Sequence, residues 1–188
     1  MFNNLLELYL ECSKISELSI FDNTLQNLET LNLSNNNFSK LDRNIFQLKH
    51  LKNLLVFGII FTEIEKFPHE RDDLISLTLT LKDISVLSNI FWFNCINMLT
   101  VCCIDRFDGE IDIFEYVPTN SQIKYLSLYK CFLTSIPRDI SKLINLETFN
   151  AGGNEIIILD NVFTNMTSLK SLGLSFNQIT NIDEVYLI

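Results

Sequence analysis

The chain has 188 residues, 47% apolar and 20% charged, with only 5 Gly and 3 Pro; it can bury a sizeable core and is neither collagen-like nor low-complexity. With 14 Lys and Arg against 23 Asp and Glu, the net charge is −9, which repels phosphate backbones and anionic lipid and argues against nucleic acid or a membrane as partner. The longest apolar run covers eight residues, 54–61, far short of the ~20 that a membrane helix needs.

The chain opens Met1-Phe2-Asn3-Asn4-Leu5, with no basic segment leading into an apolar run, so no secretory leader is visible. From there one pattern recurs: apolar residues at relative positions 1, 4, 6 and 11, often another at 14, and frequently Asn at 9. The first turn is Leu5, Leu8, Leu10, Ser13, Ile15 and Leu18, and the second is Leu28, Leu31, Leu33, Asn36, Phe38 and Leu41. A third reads Leu51, Leu54, Val56, Ile59, Phe61 and Ile64, and a fourth Leu74, Leu77, Leu79, Lys82, Ile84 and Leu87. The fifth begins Ile96, Leu99, Val101 and then degrades into an acidic stretch, residues 105–115, with five acids against Arg106. That stretch reads as a solvated bulge or a lateral docking patch for a basic partner. Ile123, Leu126, Leu128, Cys131, Leu133 and Ile136 make the sixth turn. Leu146, Phe149, Ala151, Asn154, Ile156 and Leu159 make the seventh, and Leu169, Leu172, Leu174, Asn177, Ile179 and Ile182 the eighth. Turns therefore start near 5, 28, 51, 74, 96, 123, 146 and 169, mostly 23 residues apart, with one long step of 27 before the sixth.

Alternation at positions 4 and 6 is strand periodicity with one face buried. Such a strand buries its apolar face only by stacking on copies of itself, which predicts parallel strands piled in sequence order. Positions 11, 14 and about 18 and 21 fill the return, as Ile45 with Leu48, Ile140 with Leu143, and Phe163 with Met166 do. Asn at position 9 stands where the chain leaves the strand and backbone groups need new partners; its carboxamide offers both donors and an acceptor. Asn36, Asn154 and Asn177 form such a ladder, with Cys131 a partial substitute, whereas Ile59, Lys82 and Ile104 break it. The expected outcome is a regular array at both ends and a less regular middle.

Iterated in this way, the pattern resembles the leucine-rich-repeat family, whose unit reads L-x-x-L-x-L-x-x-N-x-L with a period of ~20–29 residues. The resemblance covers residues 5–188, and residues 133–143 are similar to the convex half of the repeats of intracellular signalling scaffolds. It implies an α/β right-handed solenoid, a horseshoe arc with about eight parallel strands on its concave face and short helices or 3-10 turns and loops on its convex face. Residues 1–188 then form one domain. The expected role is a non-catalytic protein–protein interaction scaffold using the concave face. The alternatives are a surface recognition receptor fragment or the substrate-recognition part of a larger kinase or ubiquitin ligase.

Positions 2, 3, 5, 7 and 8 point to the concave face. They carry Glu7, Glu11, Glu29 and Glu147 against Lys52, Lys124, Lys130 and Lys170, so the face is neutral and should select by shape and apolar anchors. Tyr9, Leu55, Phe57, Met98, Tyr125, Tyr129, Lys130 and Phe176 are the candidate protein-binding residues, with Phe57, Tyr125 and Tyr129 at the centre. No catalytic, metal or cofactor site is expected. His50 and His69 fall away from the strand face that carries the cysteines, and a Cys-His pair needs contact. No Gly-rich phosphate loop occurs. Cys103-Ile104-Asp105 matches the Cys-x-Asp motif of bacterial leucine-rich-repeat ubiquitin ligases, but there the motif lies in a separate helical domain. Cys12, Cys95, Cys102, Cys103 and Cys131 are odd in number and lack Cys-x-x-Cys spacing. They fit reduced thiols in the cytoplasm; secretion or the cell surface is the alternative for a fragment. Asn32, Asn37 and Asn165 begin Asn-x-Ser/Thr triplets. The last residues, 185–188, would leave an uncapped edge, open to end-to-end self-association.

Overall fold

A computed structural model describes residues 4–18, 24–41, 45, 47–61, 74–87, 95–107, 113, 114, 117, 121–159, 161–180 and 182. His69, the acids at 108, 110, 112 and 115, and the segment 183–188 lie outside them.

Eight strands form one parallel sheet in strict sequence order, as the repeat predicts. They are β1 Glu7–Tyr9, β2 Thr30–Asn32, β3 Asn53–Phe61, β4 Ser76–Leu81, β5 Met98–Cys103, β6 Tyr125–Leu128, β7 Thr148–Asn150 and β8 Ser171–Gly173. Position 4 of each turn faces inward and pairs with its counterpart next door: Leu31 with Leu54, Leu77 with Leu99, Leu126 with Phe149. These side chains are fully buried, each worth about 1.5–3 kcal/mol relative to exposure. The return segments close the core with Ile45, Leu48, Ile140, Leu143 and Met166. Pro137 sets the backbone before the 3-10 helix Arg138–Lys142, which buries Ile140, and Phe163 in the 3-10 helix Asn161–Phe163 tilts against Phe149.

The turn at the end of each strand comes in two forms. In six turns position 8 takes a left-handed backbone: Cys12, Asn35, Gly58, Lys130, Gly153 and Phe176 all have φ between 55° and 71°. In β4 and β5 the same position, Leu81 and Cys103, stays in the strand. β3 has both features: its pairing with β4 slips between Val56 and Ile60 around Gly58, then resumes with Ile60 opposite Thr80.

The left-handed turns are fastened by carboxamides. Asn154 accepts from the Cys131 and Leu133 amides at 2.9 and 3.0 Å and donates to the Leu128 and Ala151 carbonyls at 2.7 and 2.9 Å. Asn36 does the same toward turn one, through the Ser13 and Ile15 amides and the Leu10 carbonyl. Asn177 accepts from the Ile156 amide and donates to the Ala151 and Leu174 carbonyls. Each side chain thus ties its own turn to the one before. Cys131 points its thiol at the corresponding Val101 carbonyl, 3.6 Å away.

Candidate functional site

Successive side chains of a strand alternate faces, so positions 3 and 5 look outward wherever position 4 looks in. Position 2, just before each strand, adds a lateral row. In that row Lys52 Nζ lies 2.7 Å from Glu29, and Lys170 Nζ lies 2.6 Å from Glu147, with Lys124 Nζ 3.9 Å from the same carboxylate. Exposed pairs such as these add little stability, but they cancel charge locally. Lys170 donates to Glu147 and holds its carboxyl below the usual carboxylate range. At the N-terminal end Tyr9 donates to Glu7, which pushes the phenol up, and Asn32 donates to Glu11. Every acid that the sequence places on this face is therefore engaged by a neighbour.

Between the two ionic rows β4 and β5 bring no charge to the open face. It carries Ile75, Ser76, Thr78, Asn97, Met98, Thr100 and Cys102 there. Phe57 is 47% exposed and Met98 46%. Tyr125, half-buried, pairs with Met98 across β5 and β6, and Leu55 is half-buried two strands away. Tyr129 lies against Gly152 and Gly153: a Cβ at Gly153 would sit 3.1 Å from its ring, and one at Gly152 3.6 Å. Bare backbone thus forms a flat bed for the ring. Lys130, left-handed at the next position, holds its ammonium 5.4 Å from the ring centroid, within cation–π range.

The sheet accordingly brings Leu55, Phe57, Met98, Tyr125, Tyr129 and Lys130 onto four adjacent strands and their ends. Tyr9, on β1, and Phe176, beyond β8, sit at opposite ends, seven strand spacings or roughly 33 Å apart. Sequence spacing misses Ile60, which is 50% exposed, whereas Ile75, 40% exposed, stands at an outward position 2 that was not singled out as an anchor. Ile60 reaches the face because the slip in β3 puts it in register with Thr80 and Cys102; the available signal was Gly58 inside an apolar strand, which marks a bulge. In the acidic insertion Arg106 grips Glu155 with two contacts of 2.6 Å, and Ile113 and Phe114 are buried in the core. His50 is exposed. Asn37 and Asn165 are also exposed, while the Asn32 amide is held by Glu11. Among the described residues no cluster of three His, Cys, Asp or Glu could hold a metal ion, and no helix is long and apolar enough to cross a membrane.

A family model described as leucine rich repeat matches residues 27–48. A disease resistance-like protein of Arabidopsis thaliana, DSC1, is 27% identical over 175 residues, which cover 90% of this chain but only 14% of that relative. Among solved structures, human trophoblast glycoprotein 5T4 aligns at 19% identity with a TM-score of 0.74, over 91% of this chain and 67% of that one. An internalin, InlF, of Listeria monocytogenes aligns at 21% identity with a TM-score of 0.62, over 96% and 50%. At these identities the two structures share the fold.

Proposed function

Because the chain is a leucine-rich-repeat protein, we propose that it is a non-catalytic scaffold that binds another protein on the open face of its sheet. Phe57, Met98, Tyr125 and Tyr129 serve as anchors. The observation that carries this reading is the partly apolar centre, to which β4 and β5 bring no charge, between ion pairs on either side. Interface energy concentrates in such aromatic and aliphatic anchors, ringed by groups that keep water out. Tyr129 is held on its glycine bed before any partner arrives, so little ordering cost is left for binding. Cytoplasmic residence is supported by five free cysteines, two of them buried. A second reading, the recognition segment of a larger protein, is favoured by the small share of the Arabidopsis relative that the chain spans.

The test is quantitative capture of a partner by three immobilised proteins: wild type, the Phe57→Ala/Tyr125→Ala/Tyr129→Ala triple variant, and an Ile158→Ala control outside the sheet face. Wild type and control should bind alike. The triple variant should bind about 30-fold more weakly or worse. Equal binding by all three folded proteins rejects the face.

A further inference from the structure

We infer that Cys103 and Cys131 form a reversible disulfide that fastens turn five to turn six, a redox modification site whose oxidant is a low-molecular-weight disulfide such as oxidised glutathione. Four observations converge on this pair. Both thiols are buried in the core, and they stand close enough for Cys103 to perturb Cys131. The Cys103 amide donates to the Lys130 carbonyl at 3.2 Å, so the backbones meet one residue short of Cys131. Cys131 occupies the ladder position, where Asn36, Asn154 and Asn177 clamp their turns to the preceding one. Its thiol keeps only part of that clamp: Sγ lies 3.6 Å from the Val101 carbonyl and 3.7 Å from the Tyr129 carbonyl.

A carboxamide would not restore the rest. Asn154 accepts from the position 9 and position 11 amides of turn six. In turn five the position 9 amide, Ile104, already donates back to the Leu81 and Lys82 carbonyls of turn four. A cross-link needs no such donors. This is also the junction reached by the longest step in the repeat, 27 residues against 23, where a constraint removes the most chain entropy.

The chemistry balances as two exchanges. One protein thiolate attacks oxidised glutathione and displaces a glutathione thiolate, leaving a mixed disulfide. The second protein thiolate attacks the protein sulfur of that adduct and expels the other glutathione. Two protein S–H bonds and one glutathione S–S bond are lost, one protein S–S bond forms, and two electrons and two protons leave with the reduced glutathione. The neighbouring Cys103 thiol and then burial push Cys131 well up, so closure waits on local opening at the end of β5 and is slow. Cys102 is the rival: its Sγ lies on the open face, 3.9 Å from the Lys130 carbonyl.

The experiment incubates the folded full chain in glutathione buffers of graded oxidised-to-reduced ratio, blocks remaining thiols and maps the peptides by mass. The expected result is a species short of two hydrogens in which the peptides carrying Cys103 and Cys131 are joined. Cys102→Ser should keep the link, and Cys103→Ser and Cys131→Ser should each abolish it. The oxidised chain should melt roughly 5–10 °C higher. A link through Cys102, Cys95 or Cys12 overturns the proposal, as do glutathione adducts without an internal link, or no change in mass at any ratio. The map of the wild-type chain decides these outcomes even if one Ser variant folds poorly.

Discussion

The end turns and the middle turns of this solenoid solve one problem differently. In turns two, seven and eight a three-residue strand stops, position 8 swings left-handed, and an Asn reaches back to tie down the preceding turn. In turns four and five the strand runs on for six residues, position 8 stays extended, and Lys82 and Ile104 stand where Asn would be. There the Lys82 amide donates to the Phe61 carbonyl and the Ile104 amide to the Leu81 and Lys82 carbonyls, at the end of a longer parallel ladder. Loss of the ladder Asn is thus matched by longer pairing, and the consequence is functional: the middle offers broad, flat strands whose outward residues are uncharged. The solenoid is most tightly clamped at its ends and least so at the middle turns, where we propose that a partner docks.

The sharpest way to break this comparison is to remove the clamp. Asn154→Ala leaves the Cys131 and Leu133 amides and the Leu128 and Ala151 carbonyls to find new partners, all beside a side chain that is buried. At about 1–3 kcal/mol for each orphaned buried group, partly relieved by water, the expected cost is about 3–5 kcal/mol. Lys82→Ala, at the same repeat position in the middle, should change stability by less than about 0.5 kcal/mol. Denaturant melts of the two variants compare them directly; similar losses would mean that the middle depends on position 9 as the ends do.

Turn three, part clamp-like and part ladder-like, supplies the next test. Gly58 has φ +71°, and a Cβ there would lie 2.0 Å from Asn35 Oδ1. Gly58→Ala should cost about 2 kcal/mol from backbone strain and the displaced amide. If the slip in β3 exists to present Phe57 and Ile60, the variant should also lose partner affinity at temperatures where it remains folded. Unchanged stability would mean that the turn relaxes into the straight form of β4.

What the sequence revealed of this arrangement follows from which forces are periodic. The inward leucines and the Asn at position 9 repeat because each turn meets the same neighbours, so strand order and core could be read by counting. The exposed centre could be read only in part. Phe57, Met98 and Tyr129 lie at outward positions, but Ile60 was hidden by a register slip that counting in steps of 23 skips over. The half-burial of Tyr125 and the Tyr129 bed depend on neighbours a full turn away, Met98 and the Gly152–Gly153 pair, and no spacing rule links them. Likewise Ile113 and Phe114 sit inside an acidic stretch, and charge density masked two core residues.

The smallest expected effect separates the ionic rows from the charge-free centre between them. Glu147 is held below its usual range first by the Lys170 hydrogen bond, then by the charges of Lys170 and Lys124. A carboxyl whose folded value is depressed stabilises the fold above its unfolded value, near pH 4.3, and that contribution fades as pH falls through the folded value. The melting temperature of wild type should therefore drop slightly faster than that of Glu147→Gln below about pH 4.5, and the gap should close in about 0.5 M salt, because the groups are exposed. Thr100→Val, in the uncharged centre, should give the same acid slope as wild type. Parallel slopes for wild type and Glu147→Gln at low salt would mean that the row neutralises the face without adding stability. The ion pairs would then matter only in leaving the partner an apolar centre with no net field around it.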